Sequence, residues 1–123
     1  MTKKAILVEG APAAVGPYTH ANIIGDLVFV SGQLPMADGE LKTDIPEAAK
    51  AALDNLKIIL EGAGSSLEKC VKVIVYLTDM NDFTAMNEVY GTYFTENEPA
   101  RSCFAVAGLP KGAVLEIEAI AHL

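Results

Sequence analysis

A long amphipathic helix constrains the fold of this chain more than any other segment. Apolar residues recur at the 3.6-residue spacing that keeps them on one face, which predicts a helix from Ile45 to Ala63. Both ends carry capping patterns: Asp44 and Glu47 form a capping box, and Gly64 suits the left-handed position after the last turn. A helix with one apolar face has to bury that face, so the chain needs a sheet or another helix to cover it.

The other patterned segments predict strands and one further helix. The strands are predicted over residues 22–24, 27–31, 70–77, 101–107 and 113–121. The spacer Gly25-Asp26 predicts a hairpin between the first two strands, residues 36–43 are predicted to be a loop, and a second helix is predicted from Asp82 to Thr95. This order indicates a single α+β domain over residues 1–123, in which two helices cover one face of a mixed sheet. If the uncovered face is apolar, it has to meet another protein surface.

The last strand places two glutamates on one face. Its residues alternate strictly, so Glu116 and Glu118 project to the same side. We predict that the last two strands form a hairpin through the loop between them. A loop centred on the Pro-Lys dipeptide pairs Cys103 with Glu118 and Ala105 with Glu116, which would bring both acids to the face of Arg101. The alternative for the two glutamates is a solvated strand face.

Two polar side chains stand in apolar surroundings and are candidate site residues. Arg101 is the only arginine and begins an apolar run, and its planar fork suits a carboxylate or phosphate. The alternative for Arg101 is a structural salt bridge, since buried charges are usually paired whether or not they have a function. Asn87 falls on the apolar face of the second helix, where we expect its amide to bind backbone groups of a neighbouring loop.

The charge pattern argues against nucleic-acid binding. Nine basic and 16 acidic residues give a formal net charge of −7 at pH 7, and the lysines form no basic stripe. No stretch approaches the ~20 apolar residues of a membrane span, and the apolar run near the start is too short for a signal peptide. We therefore expect a cytoplasmic protein with no membrane partner. Hydrophobic residues make up 51% of the chain, which fits either a subunit interface or a well-filled core.

The cysteines and histidines predict neither a disulfide framework nor a metal site. Cys70 and Cys103 lack paired-cysteine spacing and are expected to be reduced, buried thiols. His20 and His122 are far apart in the sequence and lack partners at helical spacing. No metal or organic cofactor is therefore expected.

Six short motifs follow one another along the chain. They are Gly16-Pro17-Tyr18, Ser31-Gly32-Gln33, Asp54-Asn55-Leu56, Asn81-Asp82-Phe83 with Asn87 and Tyr90, Pro99-Ala100-Arg101-Ser102, and Leu109-Pro110-Lys111 before Glu116-Ile117-Glu118-Ala119. In this order they resemble the RidA (YjgF) family of enamine/imine deaminases over nearly the whole chain. The resemblance implies a chorismate-mutase-like α+β fold and a barrel-like homotrimer with small-molecule sites between subunits. It also implies hydrolysis of 2-iminobutyrate, 2-iminopropanoate and the related 2-aminoacrylate, released by pyridoxal-phosphate enzymes, to 2-keto acids and ammonia.

The resemblance assigns the catalytic roles to three residues. Arg101 would bind the carboxylate of the substrate, and Glu116 would position the attacking water. The backbone carbonyl of Cys103 would help to hold that water, while the Cys103 thiol has no histidine in the sequence to activate it as a nucleophile. Glu118 is the local competitor for the role of Glu116.

Four further residues are expected to contact or order the substrate. The backbone of Gly32 and the region around Ser31 resemble substrate contacts, and Asn87 resembles a position that lines or orders the site. Tyr18 would close the pocket from its loop, or would pack that loop against the sheet. Two other functions stay open: a non-catalytic sensor of keto acids that uses the same Arg101, and an endoribonuclease-type inhibitor of translation, against which the net charge argues.

Overall fold

A six-stranded mixed sheet forms the centre of the structure, a computed structural model that describes all 123 residues. The strands are β1 (Lys4–Ile6), β2 (Ala21–Ile24), β3 (Leu27–Gln33), β4 (Met36–Ala37), β5 (Glu40–Leu41), β6 (Cys70–Leu77), β7 (Ala100–Ala105) and β8 (Leu115–His122). The order in the large sheet is β1-β2-β3-β8-β6-β7, and β4 and β5 form a separate small hairpin within the predicted loop 36–43. The predicted hairpin at Gly25-Asp26 is confirmed, because Ile24 pairs with Leu27.

Two helices cover one face of this sheet, as the sequence predicts. Helix α1 spans Ile45–Gly62, and helix α2 spans Phe83–Tyr93 after a short 3-10 turn, so α2 ends two residues earlier than predicted. The Asp44 side chain caps α1 by accepting a hydrogen bond from the Glu47 backbone N–H at 3.5 Å. Neither helix has the length and apolar character that crossing a membrane requires.

The helices and the sheet enclose one apolar core. Its completely buried side chains include Leu53, Leu56, Ile59 and Leu60 of α1, Met86 of α2, and Val73, Val75, Leu115 and Ile117 of the strands. Burying a side chain of this size contributes about 1.5–3 kcal/mol. The core therefore fixes β6, β8 and α2 relative to one another, and these elements carry or surround the candidate site residues.

The predicted hairpin between the last two strands is wrong. Strand β6 lies between β7 and β8, parallel to the first and antiparallel to the second, so neither the Cys103–Glu118 pair nor the Ala105–Glu116 pair forms. The physical reason is helix α2, which returns the chain from the end of β6 to the start of β7 as a crossover between parallel strands. The β-branched, apolar strand β6 thereby takes the buried position between the two.

Arg101 and Glu116 consequently lie on opposite faces of the sheet. Residues that pair directly across two strands project to the same face. Arg101 pairs with Val73, whose side chain is completely buried beneath the helices, whereas Glu116 pairs with Tyr76. Val73 and Tyr76 are three positions apart in one strand and therefore point to opposite sides. The prediction that both acids share the face of Arg101 is wrong.

The sheet face opposite the helices is uncovered and partly apolar. Leu27, Phe29 and Phe104 remain 40%, 41% and 46% exposed there. Phe104 packs edge-on against Tyr76, with their ring centroids 5.4 Å apart. An exposed apolar sheet face of this kind is typical of a surface that contacts another protein.

Candidate active site

Helix α2 holds the Arg101 guanidinium at the edge of the sheet. Arg101 Nη1 donates a hydrogen bond of 2.7 Å to Asn87 Oδ1, and Arg101 Cζ lies 4.6 Å from the ring centroid of Tyr90 and 5.5 Å from that of Phe83. Phe83, Asn87 and Tyr90 follow the spacing i, i+4, i+7 and so share one face of α2. The expectation that Asn87 binds a loop backbone is wrong, because its side chain is exposed and directed at the arginine.

Arg101 has no acidic partner. Both salt bridges of the structure are formed by lysines, and no carboxylate oxygen lies within 4.0 Å of the guanidinium. Arg101 therefore forms no structural salt bridge within this chain. A guanidinium has five N–H donors, and this half-buried one uses a single donor on Asn87. The remaining donors are available to an anionic ligand.

Cys103 lies two residues from Arg101 on the same sheet face. It is a free, half-buried cysteine, whereas the other free cysteine, Cys70, is buried. Burial raises the pKa of the Cys103 thiol, and the positive charge of Arg101 offsets only part of this effect. A thiol with a raised pKa stays protonated near neutral pH and is a poor nucleophile.

A β-bulge in β3 places Gly32 beneath the Glu116 carboxylate. Val30 pairs with Ala119 and Gln33 pairs with Ile117, so β3 advances by three residues where β8 advances by two. A Cβ atom at position 32 would lie 2.0 Å from Glu116 Oε1 and 2.8 Å from Glu116 Cδ. Only glycine therefore allows the carboxylate to lie against the backbone at this point.

The two neighbouring glutamates have different surroundings. The Tyr76 hydroxyl donates a hydrogen bond to the Glu118 carboxylate, whereas Glu116 has no such donor. Burial raises the pKa of Glu116, and the negative charge of Glu118 raises it further. The Glu116 carboxylate thus has no hydroxyl donor occupying it and has a raised pKa, and both features favour it as a proton acceptor.

Ser31 fastens the loop that carries Tyr18. The Ser31 hydroxyl donates to the Thr19 carbonyl at 2.6 Å, and the Ser31 backbone N–H donates to the His20 carbonyl at 3.0 Å. The Ser31 hydroxyl is therefore occupied by a hydrogen bond within the protein, so a ligand in this region would contact the backbone instead. Tyr18 itself is 50% exposed, and its hydroxyl accepts a bond from the Val15 N–H at 3.3 Å.

The buried His20 joins the N-terminal segment to the sheet. Its Nδ1 accepts from the Val8 N–H at 2.9 Å, and its Nε2 donates to the Pro12 carbonyl at 2.8 Å. Because both ring nitrogens are engaged, the histidine is structural, a role that the sequence pattern does not reveal. No group of three or more histidine, cysteine, aspartate or glutamate side chains is arranged to hold a metal ion.

A cavity of about 370 Å³ opens beside Gly32. Tyr18, Gln33, Asn55 and Lys111 line it together with parts of the N-terminal loop and the β4–β5 hairpin. The Asn55 amide fixes the wall by donating to the carbonyls of Leu34 and Met36, at 3.3 and 2.9 Å. Arg101, Asn87 and Cys103 are absent from the lining.

The expected site residues therefore form two groups within one chain. The arginine group comprises Arg101, Asn87 and Cys103, on the helix side of the sheet. The glutamate group comprises Glu116, Gly32, Ser31 and Tyr18; Glu116 lies on the open face, and Gly32 and Tyr18 border the cavity. The sequence identifies these residues but does not divide them in this way.

Comparison with known proteins decides the family. Residues 8–123 match the family model described as Endoribonuclease L-PSP. The chain belongs to this family, which is the RidA (YjgF) family. The RidA-family resemblance of the motifs is thereby confirmed, and the match extends over almost the whole chain.

Several curated RidA-family relatives align over nearly their full length. A RutC family protein from Pyrococcus abyssi is 50% identical over 125 residues, covering 99% of this chain and 98% of the relative. The 2-iminobutanoate/2-iminopropanoate deaminase of Escherichia coli is 45% identical over 123 residues, covering 96% of each chain. The putative reactive intermediate deaminase TdcF of E. coli is also 45% identical, covering 97% of this chain and 96% of the relative.

Solved structures of RidA-family proteins share the fold. The crystal structure of the E. coli YjgF gene product has a TM-score of 0.92 at 44% identity, covering 97% of this chain and 98% of that chain. The crystal structure of E. coli TdcF, described with bound serine, has a TM-score of 0.89 at 43% identity, covering 96% and 98%. The predicted α+β architecture, with a mixed sheet and two helices, is therefore confirmed.

Proposed function

We propose that this chain is a cytoplasmic deaminase that hydrolyses 2-imino and 2-enamino acids, such as 2-iminobutyrate and 2-iminopropanoate, to 2-keto acids and ammonia. The observation that carries the proposal is the Arg101 guanidinium, which is oriented by α2 and has no carboxylate partner of its own. Its free donors suit a substrate carboxylate. The deaminase names of two relatives at 45% identity support the same reaction.

The reaction needs only orientation and one proton acceptor. Arg101 binds the substrate carboxylate and fixes the adjacent imine carbon, while Glu116 accepts a proton from a water molecule as its oxygen bonds to that carbon. Glu116 passes this proton to the nitrogen, and the hydroxyl of the addition product supplies the second proton. The carbon–nitrogen bond then breaks, and ammonia leaves as the carbonyl of the keto acid forms. The water oxygen ends in the keto acid, so the atoms of imine and water are all accounted for.

Neighbouring groups make smaller contributions to the proposed hydrolysis. The raised pKa of Glu116 makes its carboxylate a stronger base than an ordinary glutamate. The Cys103 backbone carbonyl is assigned to hold the same water, and the Gly32 backbone is assigned to contact the substrate. Asn87 keeps one guanidinium nitrogen of Arg101 in place, and Tyr18 closes the pocket from its loop.

The two groups of site residues meet between subunits in this proposal. Because Arg101 and Glu116 project from opposite faces of one sheet, a single chain cannot place both around one small substrate. A homotrimer would bring the arginine group of one chain to the glutamate group of its neighbour. The exposed apolar residues Leu27, Phe29 and Phe104 support such an assembly, since they need a partner surface.

The test is release of 2-keto acid from imines generated in place by a dehydratase. Wild type is expected to exceed the buffer rate, and both Arg101→Ala and Glu116→Gln are expected to lose about 100-fold or more of the added rate. Glu61→Gln, a change at an exposed glutamate of α1, is the matched control and should leave the rate unchanged. A folded wild-type protein that gives no acceleration would refute the proposal.

A keto-acid sensor is the second candidate, because the unpaired Arg101 would serve it equally well. Binding of 2-oxobutanoate by wild type without any acceleration of imine hydrolysis would favour the sensor. An RNA-directed function receives less support from the charge distribution, since a net charge of −7 and one half-buried arginine offer no cationic surface for phosphates.

A further inference from the structure

Two aromatic rings on α2 pack against the guanidinium of Arg101, although their spacing in the sequence is that of core residues. Tyr90 is only 7% exposed, and Phe83 is half-buried. Tyr90 also stacks on Phe94, with 4.5 Å between ring centroids and 29° between ring planes, so a second contact restrains the orientation of its ring.

The ring of Tyr90, and not its hydroxyl, makes the contact with the arginine. The hydroxyl is buried and has no hydrogen-bond partner. Burial raises the pKa of Tyr90 to about 12, so the phenol is neutral and does not neutralise the guanidinium. The 4.6 Å separation between Arg101 Cζ and the Tyr90 ring centroid lies within the range of a cation–π contact.

An unpaired arginine would otherwise be mobile. Arginine has a long side chain with many rotamers, and a group that binds ligand must hold one of them. Here no carboxylate fixes the guanidinium, and the single side-chain hydrogen bond to Asn87 leaves it free to pivot about Nη1. Two rings of the same helix face restrict that movement.

We propose that Tyr90 and Phe83 are positioning residues that hold the Arg101 guanidinium in the orientation that binds a carboxylate. This inference rests on the proposed function only in taking a carboxylate as the ligand. The rings act through Arg101 and do not themselves contact the substrate. Removing a ring therefore weakens carboxylate binding, while the catalytic groups at Glu116 and Gly32 are untouched.

The experiment measures the affinity for 2-oxobutanoate by titration calorimetry, together with KM and kcat for 2-iminobutyrate. Tyr90→Leu is expected to weaken 2-oxobutanoate binding by about 5- to 20-fold and to raise KM equally at nearly constant kcat. Tyr90→Phe keeps the ring and is expected to match wild type. Tyr93→Leu is the matched control, because Tyr93 bonds to Asp54 of α1 and does not contact Arg101.

Each outcome decides the inference. Unchanged affinity in a folded Tyr90→Leu protein would overturn it, as would equal weakening in Tyr90→Phe or in Tyr93→Leu. If Tyr90→Leu does not fold, Phe83→Leu replaces it, with an expected two- to fivefold loss of affinity, and no loss there overturns the inference. If the variants show the expected affinities but wild type does not hydrolyse imines, the deaminase proposal is refuted and the positioning role is retained. If wild type binds no carboxylate, both the deaminase proposal and the positioning role are refuted.

Discussion

Arg101 and Glu116 belong to one sheet but project from its opposite faces, with strand β6 between their strands. The arginine is held by helix α2, and the glutamate lies over the bulge at Gly32. Each chain thus carries an unpaired guanidinium and a carboxylate of raised pKa that do not face each other. The chemistry proposed for this protein needs both groups around one substrate, which makes the assembly of chains part of the mechanism.

We expect that a lysine ammonium cannot replace the guanidinium of Arg101. In Arg101→Lys, the planar fork that can grip a carboxylate and pack on the Tyr90 ring is lost, although the charge remains. We expect kcat/KM for 2-iminobutyrate to fall by about 10- to 100-fold. Steady-state kinetics on the folded variant provide the measurement, and wild-type activity in Arg101→Lys would exclude the carboxylate-binding role.

The absence of a side chain at Gly32 is expected to be essential for activity and unimportant for stability. Its backbone conformation is open to any residue, but an alanine Cβ would lie 2.0 Å from Glu116 Oε1 and would push the carboxylate aside. Displacement of a catalytic group by about 1 Å costs roughly 100-fold in rate, so Gly32→Ala should lose about that much with little change in melting temperature.

Gly91→Ala is the matched control for this glycine. Position 91 lies within α2, and a Cβ added there would meet no other side chain within 4 Å, so alanine should raise the stability by about 0.5–1 kcal/mol and leave the activity unchanged. Normal activity in Gly32→Ala would show that Glu116 does not have to lie against the backbone at position 32.

Glu116→Gln is expected to make the protein more stable near neutral pH while removing its activity. The folded state raises the pKa of Glu116 above the ordinary value of 4.5, so the folded chain binds this proton more tightly than the unfolded chain. Ionisation therefore opposes folding above the raised pKa and has no effect below the ordinary value. Melting curves should show a higher melting temperature for Glu116→Gln at about pH 8, with the difference gone by about pH 4. A lower melting temperature at pH 8 would contradict the burial of this carboxylate.

Glu118 is expected to act on Glu116 through its charge. Because the negative charge of Glu118 raises the pKa of Glu116, the neutral variant Glu118→Gln should lower that pKa toward the ordinary value. A glutamine at 118 can still accept the hydrogen bond from Tyr76, so the geometry is preserved. The measurement is an NMR titration of the Glu116 side-chain carboxyl; an unchanged or higher midpoint would show that the two carboxylates do not interact.

Local patterns in the sequence predict most of the elements correctly. The capping residues and apolar spacing of α1, the Gly25-Asp26 hairpin and the β-branched strand β6 all depend on neighbouring residues, and the structure agrees with each. Strand pairing depends on residues far apart in the chain, and there the prediction failed. The strand-helix-strand order of β6, α2 and β7 indicates a parallel crossover and could have excluded the final hairpin.

The sequence identifies the candidate site residues but does not indicate how they are arranged in space. Arg101, Glu116 and Gly32 stand out by residue type and motif, but the division between sheet faces follows from the position of β6, which no motif encodes. The bulge at Gly32 depends on the register between β3 and β8. The spacing of Phe83, Asn87 and Tyr90 is visible in the sequence, and an amide between two aromatic residues on one helix face could have indicated a partner for the arginine.

The most direct test of the central claim mixes the two inactive variants. Arg101→Ala and Glu116→Gln chains, co-expressed with different tags and purified as mixed oligomers, each supply the group that the other lacks. If the site forms between subunits of a trimer, each purified mixed trimer has one of its three sites complete, so the mixture should restore about a third of the wild-type rate of 2-iminobutyrate hydrolysis. A mixture that remains as inactive as the two separate variants would contradict an active site shared between chains.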